Sequence, residues 1–586
     1  VLALAFAISS VTPAHAGETK RVRHGVAGPG TYRVSVGVAF PDTRRTRALR
    51  LVIERRSVLV RATRRAVRRL TVRRVVRIDD GALDISWRKR RGGPRVISVR
   101  ARLREPGSAS PVPGAPPPPS LPRVGTPAPA PTGAVETWTT TTAAGSLDLK
   151  LDRGSIPVGS SAAAAGRPVI SVDPEITFQT IDGFGGALTD SAAWLIAGSP
   201  RREQIMADLF AAAGAGFGVV RVPMGASDMA RSAYTYDDTC CDLSDFSIAH
   251  DTAYVIPLLR EARALNPGLK VLATPWSAPG WMKFGGSLLG ACTDNRNYLR
   301  NDRYGDYAEY FVRFLRAYAA HGISVHAVSM QNEPNHCASD YPSMNMSSAD
   351  QAGFSAVLRP ALDAAGFANV KIIGWDHNWY QGGSPAPNPH WLMQEPAQAV
   401  DGIAYHCYES PAGGYAVQRA FHDAFPGAEV HFTECTGGAW STNEAANLVW
   451  NLENTLIGPL RHWARTSLYW NLALTADGGP HTGGCGNCRG MLTVPGDPGG
   501  DPVANAEYFA WAHLAKVVAA GAVRIASDDF GPGSLRSVAF RNPDGSRALV
   551  VLNADTDSPR SFRVDSGNDT FATSLPPASV ASFRWR

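Results

Sequence analysis

The chain has 586 residues, is 44% hydrophobic and 19% charged, and carries a formal net charge of +7. That is too long for one ordinary domain, and the composition is that of a globular protein, which excludes a chain disordered throughout. After the N-terminal stretch, no apolar run is long enough to cross a bilayer as a helix.

Val1 to Val11 is mostly apolar, and Ala14-His15-Ala16 is a small-x-small site before Gly17. Residues 1–16 therefore read as a secretory signal peptide, and a secreted, extracellular protein is expected. Residues 17–105 follow with 26 Lys and Arg against 7 Asp and Glu. That is +19 in a chain of +7, so the rest carries −12. Val34, Val36, Val38 and Phe40 alternate with small or polar residues, as do Ile97, Val99, Ala101 and Leu103. A small, basic, β-rich accessory module is expected. So dense a block of like charge repels itself, and its expected partner is an anionic surface, either cell-wall polymer or membrane lipid. It carries no nucleic-acid-binding motif, and no nucleic acid partner is expected.

Residues 106–134 are rich in Pro, Ala, Gly and Ser, with four consecutive prolines at Pro116 to Pro119. They read as an extended, semi-rigid linker. The run Ser160 to Gly166 reads as a surface loop. The eight cysteines are Cys240, Cys241, Cys292, Cys337, Cys407, Cys435, Cys485 and Cys488. An even count suits disulfides in an exported chain, though sequence leaves the pairing open. Cys485-Gly-Asn-Cys488 has no second such pair to complete a zinc site and reads as a loop staple.

Eight short segments between Ile181 and Ala473 read as buried strands: Gly183–Ala187, Gly218–Pro223, Lys270–Thr274, Val325–Met330, Val370–Gly374, Gly402–Tyr405, Val430–Thr433 and Ser467–Trp470. Most are separated by helical patterns. One is Tyr307 to Tyr318, where Phe311, Phe314, Leu315 and Tyr318 share a face. The expected fold is α/β, a (β/α)8 TIM barrel over residues 181–504. The strands run into polar or aromatic residues: Arg221 and then Asp228, Trp276, Asn332-Glu333, Trp375-Asp376-His377, His406 and Tyr408, Glu434, and Trp470-Asn471. In such a barrel those ends converge on one face, where active sites are built.

Glu333 and Glu434 follow strands 4 and 7. Cleaving a glycosidic bond requires one carboxylic acid to protonate the leaving oxygen and a second carboxylate facing the anomeric carbon. Glu333 is the expected acid/base and Glu434 the expected nucleophile. Their spacing should be about 5 to 5.5 Å, the geometry of retention. Arg221 is the expected partner that keeps Glu434 ionised, and Glu333 should hold the proton. Asn332 is expected to bond the sugar 2-hydroxyl. The chemistry requires no metal and no organic cofactor.

Several stretches together resemble glycoside hydrolase family 30, the family of acid β-glucosylceramidase. They are Asp182-Gly-Phe-Gly-Gly-Ala-Leu-Thr-Asp190, Arg221-Val-Pro-Met-Gly-Ala-Ser-Asp228, Thr274-Pro-Trp-Ser-Ala-Pro-Gly-Trp281, Met330-Gln-Asn-Glu-Pro334, Tyr405-His-Cys-Tyr408, Phe432-Thr-Glu-Cys435 and Tyr469-Trp-Asn-Leu-Ala-Leu474. The resemblance covers about Val135 to Arg586. It implies that Asp228, Trp276, Asn332 and Trp470 hold the terminal glucose, and that Arg221, His406 and Tyr408 orient the nucleophile or contact substrate. It also implies a discontinuous β-sandwich side domain, built from residues 135–180 and, with a C-terminal helix, from 505–586. Strand-like runs at Ser146–Leu151, Val169–Phe178, Ala539–Phe540, Ala548–Asn553, Ser561–Val564 and Val580–Trp585 agree with this. The substrate expected on this resemblance is a β-glucoside, first of all glucosylceramide. Alternatives are cell-wall glucan cleaved as by an endo-β-1,6-glucanase, or the substrate of a β-xylosidase. A non-catalytic glycan-binding surface protein would need neither Glu333 nor Glu434.

Overall fold

The computed structural model describes residues 133–159, 167–290, 296–381, 384–385, 388–496 and 500–586, and upstream of these the backbone of eight strands between Ala3 and Pro106. The expected loop at 160–166, most of the linker and Cys292 lie outside the described residues. The chain divides into two units, residues 1–121 and 122–586, and the division falls inside the expected linker.

The first unit holds two four-stranded antiparallel sheets. Gly30–Ala39 pairs with both Arg95–Pro106 and Arg69–Ile78. Ala3–Ala7, inside the segment read as a signal peptide, pairs with Arg95–Pro106.

The second unit contains a closed barrel of eight parallel strands. They are β1 (Gly183–Ala187), β2 (Val219–Pro223), β3 (Lys270–Thr274), β4 (Ala327–Ser329), β5 (Lys371–Asn378), β6 (Gly402–His406), β7 (Glu429–Glu434) and β8 (Ala464–Tyr469). All eight lie where the sequence places them. They are almost wholly buried, because helices cover one face and the barrel interior the other. Leu272, Ala327, Ile373 and Ala404 pack together from four neighbouring strands. The seam between β1 and β2 needs Gly185: a Cβ there would sit 1.9 Å from the Val219 carbonyl oxygen. At the N-terminal end of the barrel, Asp182 bonds Lys270 and Arg465, and Glu429 bonds Lys371. These ion pairs tie the starts of β1, β3, β5, β7 and β8 at the end remote from the strand-end residues.

The helix Tyr304–Ala320 buries Phe311, Phe314, Leu315 and Tyr318 on one face. Among the described residues, no helix is long and apolar enough to cross a membrane.

The side domain is a β-sandwich of nine strands from both ends of the unit, running Asp152–Pro157, Ala134–Thr140, Ser579–Trp585, Arg547–Asn553, Leu535–Arg541, Val523–Ser527, Val169–Thr180, Arg560–Ser566 and Asp569–Leu575. Val169–Thr180 bends through two register shifts and so pairs with strands on both sides. Phe562, Phe571, Phe583 and Trp585 fill the core. The reading of Ser146–Leu151 as one strand is corrected. Only Ser146–Leu147 is extended, in a two-residue hairpin; Leu149 is exposed and Leu151 has φ of 55°. Its alternation of leucines mimics a half-buried strand, but only Leu147 is buried and the chain turns at Leu151. The helix Ala506–Val517 is buried almost all round and joins the two parts. Its Trp511 donates to the Ser467 carbonyl of β8, and its His513 lies between Thr140 and Ser582 of the sandwich.

Candidate active site

Of the nine singled-out residues, Asp228, Trp276, Asn332, Glu333, Tyr408, Glu434 and Trp470 line one cleft of about 670 Å³ at the C-terminal end of the barrel. Arg221 and His406 are completely buried behind it. His406 is therefore corrected from a substrate contact to a residue that acts through its neighbours.

Arg221 extends from β2 into the centre of the site. Its guanidinium donates to Glu434 through Nη1, and through Nη2 to Asn332 Oδ1 at 2.7 Å and Asp376 Oδ2 at 3.0 Å. It also lies 4.9 Å and 5.8 Å from the ring centres of Trp276 and Trp470, which stack on each other at 5.0 Å. Burial works against its charge, but Asp376 and Glu434 outweigh burial and hold it protonated. Glu434 also accepts from the Tyr408 hydroxyl at 3.0 Å, and burial keeps that phenol protonated and a donor.

His406 bridges the carboxylates. Its Nδ1 is 3.1 Å from Glu333 Oε1 and 4.0 Å from Glu434 Oε1, and its Nε2 is 3.0 Å from Asp376 Oδ1. The two facing oxygens of Glu333 and Glu434 are thus no more than about 7 Å apart. Burial alone would neutralise the imidazole. Glu434, Asp376 and Glu333 prevail and raise its pKa to about 9. Asp376 also accepts from Thr433 at 2.6 Å. Burial would raise its pKa, yet Arg221 and His406 hold it below the usual carboxylate range.

The imidazole of His406 competes with Glu333 for the expected proton. Burial would raise Glu333, but the hydrogen bond with His406 and that imidazolium's charge pull it below the usual carboxylate range; His377, lowered to about 4 by burial, is neutral near pH 7 and adds little there. Glu434 is shifted upward, by burial and by the Glu333 charge, against His406 and Arg221. The sequence reading weighed the two glutamates against each other and left out the imidazole between them. The imidazole that can supply Glu333 with a proton is one 3.1 Å hydrogen bond away.

Asp228 differs again. Burial first, then the charge of Glu434, pushes its pKa up to about 7. Near neutrality it is poised between donating and accepting hydrogen bonds, which suits a partner with hydroxyls. The loop after β8 grips its backbone, through Thr482 N to the Asp228 carbonyl at 2.8 Å.

Local backbone distortions aim these groups. Glu333, Trp375, Asp376, Glu409 and Asn471 all have positive φ without being glycine. Such conformations cost on the order of 1–3 kcal/mol each and cluster at functional sites. The β5–β6 register shifts between Trp375 and His377. The bulge makes consecutive residues Asp376 and His377 both face the site, with His377 Nδ1 3.7 Å from Glu333. The Cys407–Cys435 disulfide joins the ends of β6 and β7, next to His406 and Glu434. Cys485 and Cys488 are bonded to each other, and so are Cys240 and Cys241.

Asp376 is the central group to which sequence reasoning gave no role. Its signal was a carboxylate at the end of a barrel strand, next to a histidine. Glu333, His377 and His406 also place ligand atoms within 4.8 Å of one another. A metal there would have to displace the proton that three carboxylates hold on His406.

Comparison with known proteins adds the following. The profile of the glycosyl hydrolase family 30 TIM-barrel domain matches residues 181–483, and that of the family 30 beta sandwich domain matches 521–583. An endo-1,6-beta-D-glucanase of Trichoderma harzianum is 34% identical over 399 residues, which is 64% of this chain and 78% of that protein. The lysosomal acid glucosylceramidase of Mus musculus is 29% identical over 447 residues, 71% of this chain and 83% of that one. A solved endo-beta1,6-glucanase superposes with a TM-score of 0.69 at 32% identity, covering 77% of this chain and 99% of its own.

Proposed function

This chain belongs to glycosyl hydrolase family 30, and from that premise we propose that it is a retaining endo-β-1,6-glucanase with Glu434 as nucleophile and Glu333 as acid/base. The observation that carries the chemistry is the meeting of Glu333 and Glu434 around one imidazole in the cleft. Glu434, oriented by Arg221 and Tyr408, attacks the anomeric carbon and forms a glycosyl ester. Glu333 receives a proton across its bond to His406 and passes it to the leaving oxygen. In the second step Glu333 takes a proton from water, which attacks the ester and restores the sugar with its original configuration. As Glu434 gives up its charge to the forming ester, its hold on the His406 proton weakens and that proton moves to Glu333 in the same step; when water later frees Glu434, the proton that Glu333 takes from water returns to His406.

Glucan replaces glucosylceramide as the leading substrate. The curated endo-1,6-glucanase has the higher identity to this chain, 34% against 29% for the mouse glucosylceramidase. The described residues lining the cleft include no lysine or arginine, so a neutral polysaccharide suits it better than an anionic one. Export is part of this proposal, since paired cysteines beside the site suit an oxidising compartment. So is adhesion of the basic N-terminal module to an anionic surface.

The test uses the full chain, Glu434→Gln and Glu333→Gln on β-1,6-glucan, glucosylceramide and an aryl β-glucoside, with the anomer of the first product read by NMR. Release of β-configured oligosaccharides from glucan, abolished in Glu434→Gln, is expected. Ceramide release without glucan cleavage would move the protein to glycolipid turnover. Inactivity on all three would leave a glycan-binding protein.

A further inference from the structure

We propose that Trp440, on the loop after β7, is the stacking platform for a second hexose of the glucan, next to the sugar being cleaved. This rests on the glucanase reading above and names the residue that makes the site select a polymer.

Trp440 is 58% exposed, yet it lines the same cleft as Glu333 and Glu434. A single exposed indole needs no explanation by itself; what gives this one a role is its place on the wall of the cleft. An indole face matches the C–H face of a pyranose and leaves the hydroxyls free for water. The only other large aromatic faces among the described lining residues are Trp276, Trp470, Tyr341 and Tyr408. Trp276 and Trp470 are buried and stacked on each other, Tyr408 is bonded to Glu434, and Tyr341 is partly buried and faces the His336 ring at 6.1 Å.

The ring is built into place. It lies against Gly438, where an added Cβ would come 2.0 Å from the indole Cζ3. Gly437 and Gly438 pair antiparallel with Arg489 and Cys488, and Ala439 N donates to the Asn487 carbonyl at 2.9 Å. Cys488 is tied to Cys485. Gly438 admits the indole, Gly437 admits the Glu507 carboxylate beside it, and a stapled turn fixes the strand beneath. A rigid aromatic anchor loses little freedom on binding, which is how a few residues come to dominate recognition.

The experiment compares wild type, Trp440→Ala, Trp440→Phe and Gly438→Ala on β-1,6-glucan and on β-glucosyl fluoride, whose leaving group carries no second sugar. For Trp440→Ala, kcat/KM on glucan should fall roughly ten-fold or more, mostly through KM, with the fluoride turned over within two-fold of wild type. Trp440→Phe should recover part of the loss, and Gly438→Ala should reproduce it, because the new Cβ meets both the ring and the Asn487 carbonyl that holds the strand beneath it. Equal losses on glucan and fluoride would overturn the platform and leave Trp440 a structural residue. Unchanged glucan kinetics in Trp440→Ala would overturn it too, with the glucanase reading intact. Failure of the wild type to cleave glucan would overturn both.

Discussion

Replacing Arg221 by lysine keeps the charge and removes the fork. The guanidinium makes hydrogen bonds to Glu434, Asn332 and Asp376 while facing two indoles. A single ammonium on a shorter reach can serve one or two of those acceptors. Losing one or two charge-assisted bonds at about 1.5–3 kcal/mol each amounts to roughly 3 kcal/mol in the middle of the range. Most of that should appear in the transition state, where Glu434 must be aligned with the anomeric carbon. At about 1.4 kcal/mol per factor of ten, kcat/KM should fall on the order of a hundred-fold. The weaker grip on Glu434 should also raise its pKa, moving the acid limb of the kcat/KM profile to higher pH. The assay is kcat/KM on an aryl β-glucoside from pH 4 to 9, with circular dichroism to check the fold. Arg221→Met should do worse, losing about 3–5 kcal/mol of stability by stranding Asp376 and Glu434 in a buried site. A lysine variant within three-fold of wild type, with an unmoved acid limb, would refute this account of Arg221.

Three further outcomes are expected. His513 is held neutral by burial, its pKa lowered to about 3 from 6.5. Between those values the unfolded chain binds more protons, so stability should drop by roughly 4 kcal/mol as pH falls from 6.5 to 3 and be flat, for this group, above 6.5. Urea midpoints against pH should show that slope in wild type and lose it in His513→Gln. Gly185→Ala drives a Cβ into the Val219 carbonyl and should cost about 3 kcal/mol, read as a lowered melting temperature; an unchanged melt would mean that the β1–β2 seam yields. A fragment from Pro122 onward should keep glucan hydrolysis and lose salt-sensitive binding to anionic vesicles, since 26 of the cations lie upstream; retained binding would remove the adhesive role of the basic module.

The barrel was legible because its strands are short runs of buried aliphatics between amphipathic helices, a pattern fixed by local burial. Glu333, Glu434, Arg221 and Asp228 were legible for a related reason: a parallel barrel brings all its strand ends to one face, so position along the chain becomes position in the site. Ser146–Leu151 was misread because alternation records a pattern but not whether another strand covers it. Asp376 went unassigned because it reaches the centre only through the bulge at Trp375 to His377, whose cause is pairing with β6 across the barrel. His406 was left between orienting the nucleophile and touching substrate, since depth behind a cleft has no local signature. The proton depended on tertiary structure most of all. Sequence singled out two carboxylates and expected opposite roles of them, but the ionisation of each is set by every charge within a few ångströms, and Arg221, His406 and Asp376 come from three different strands.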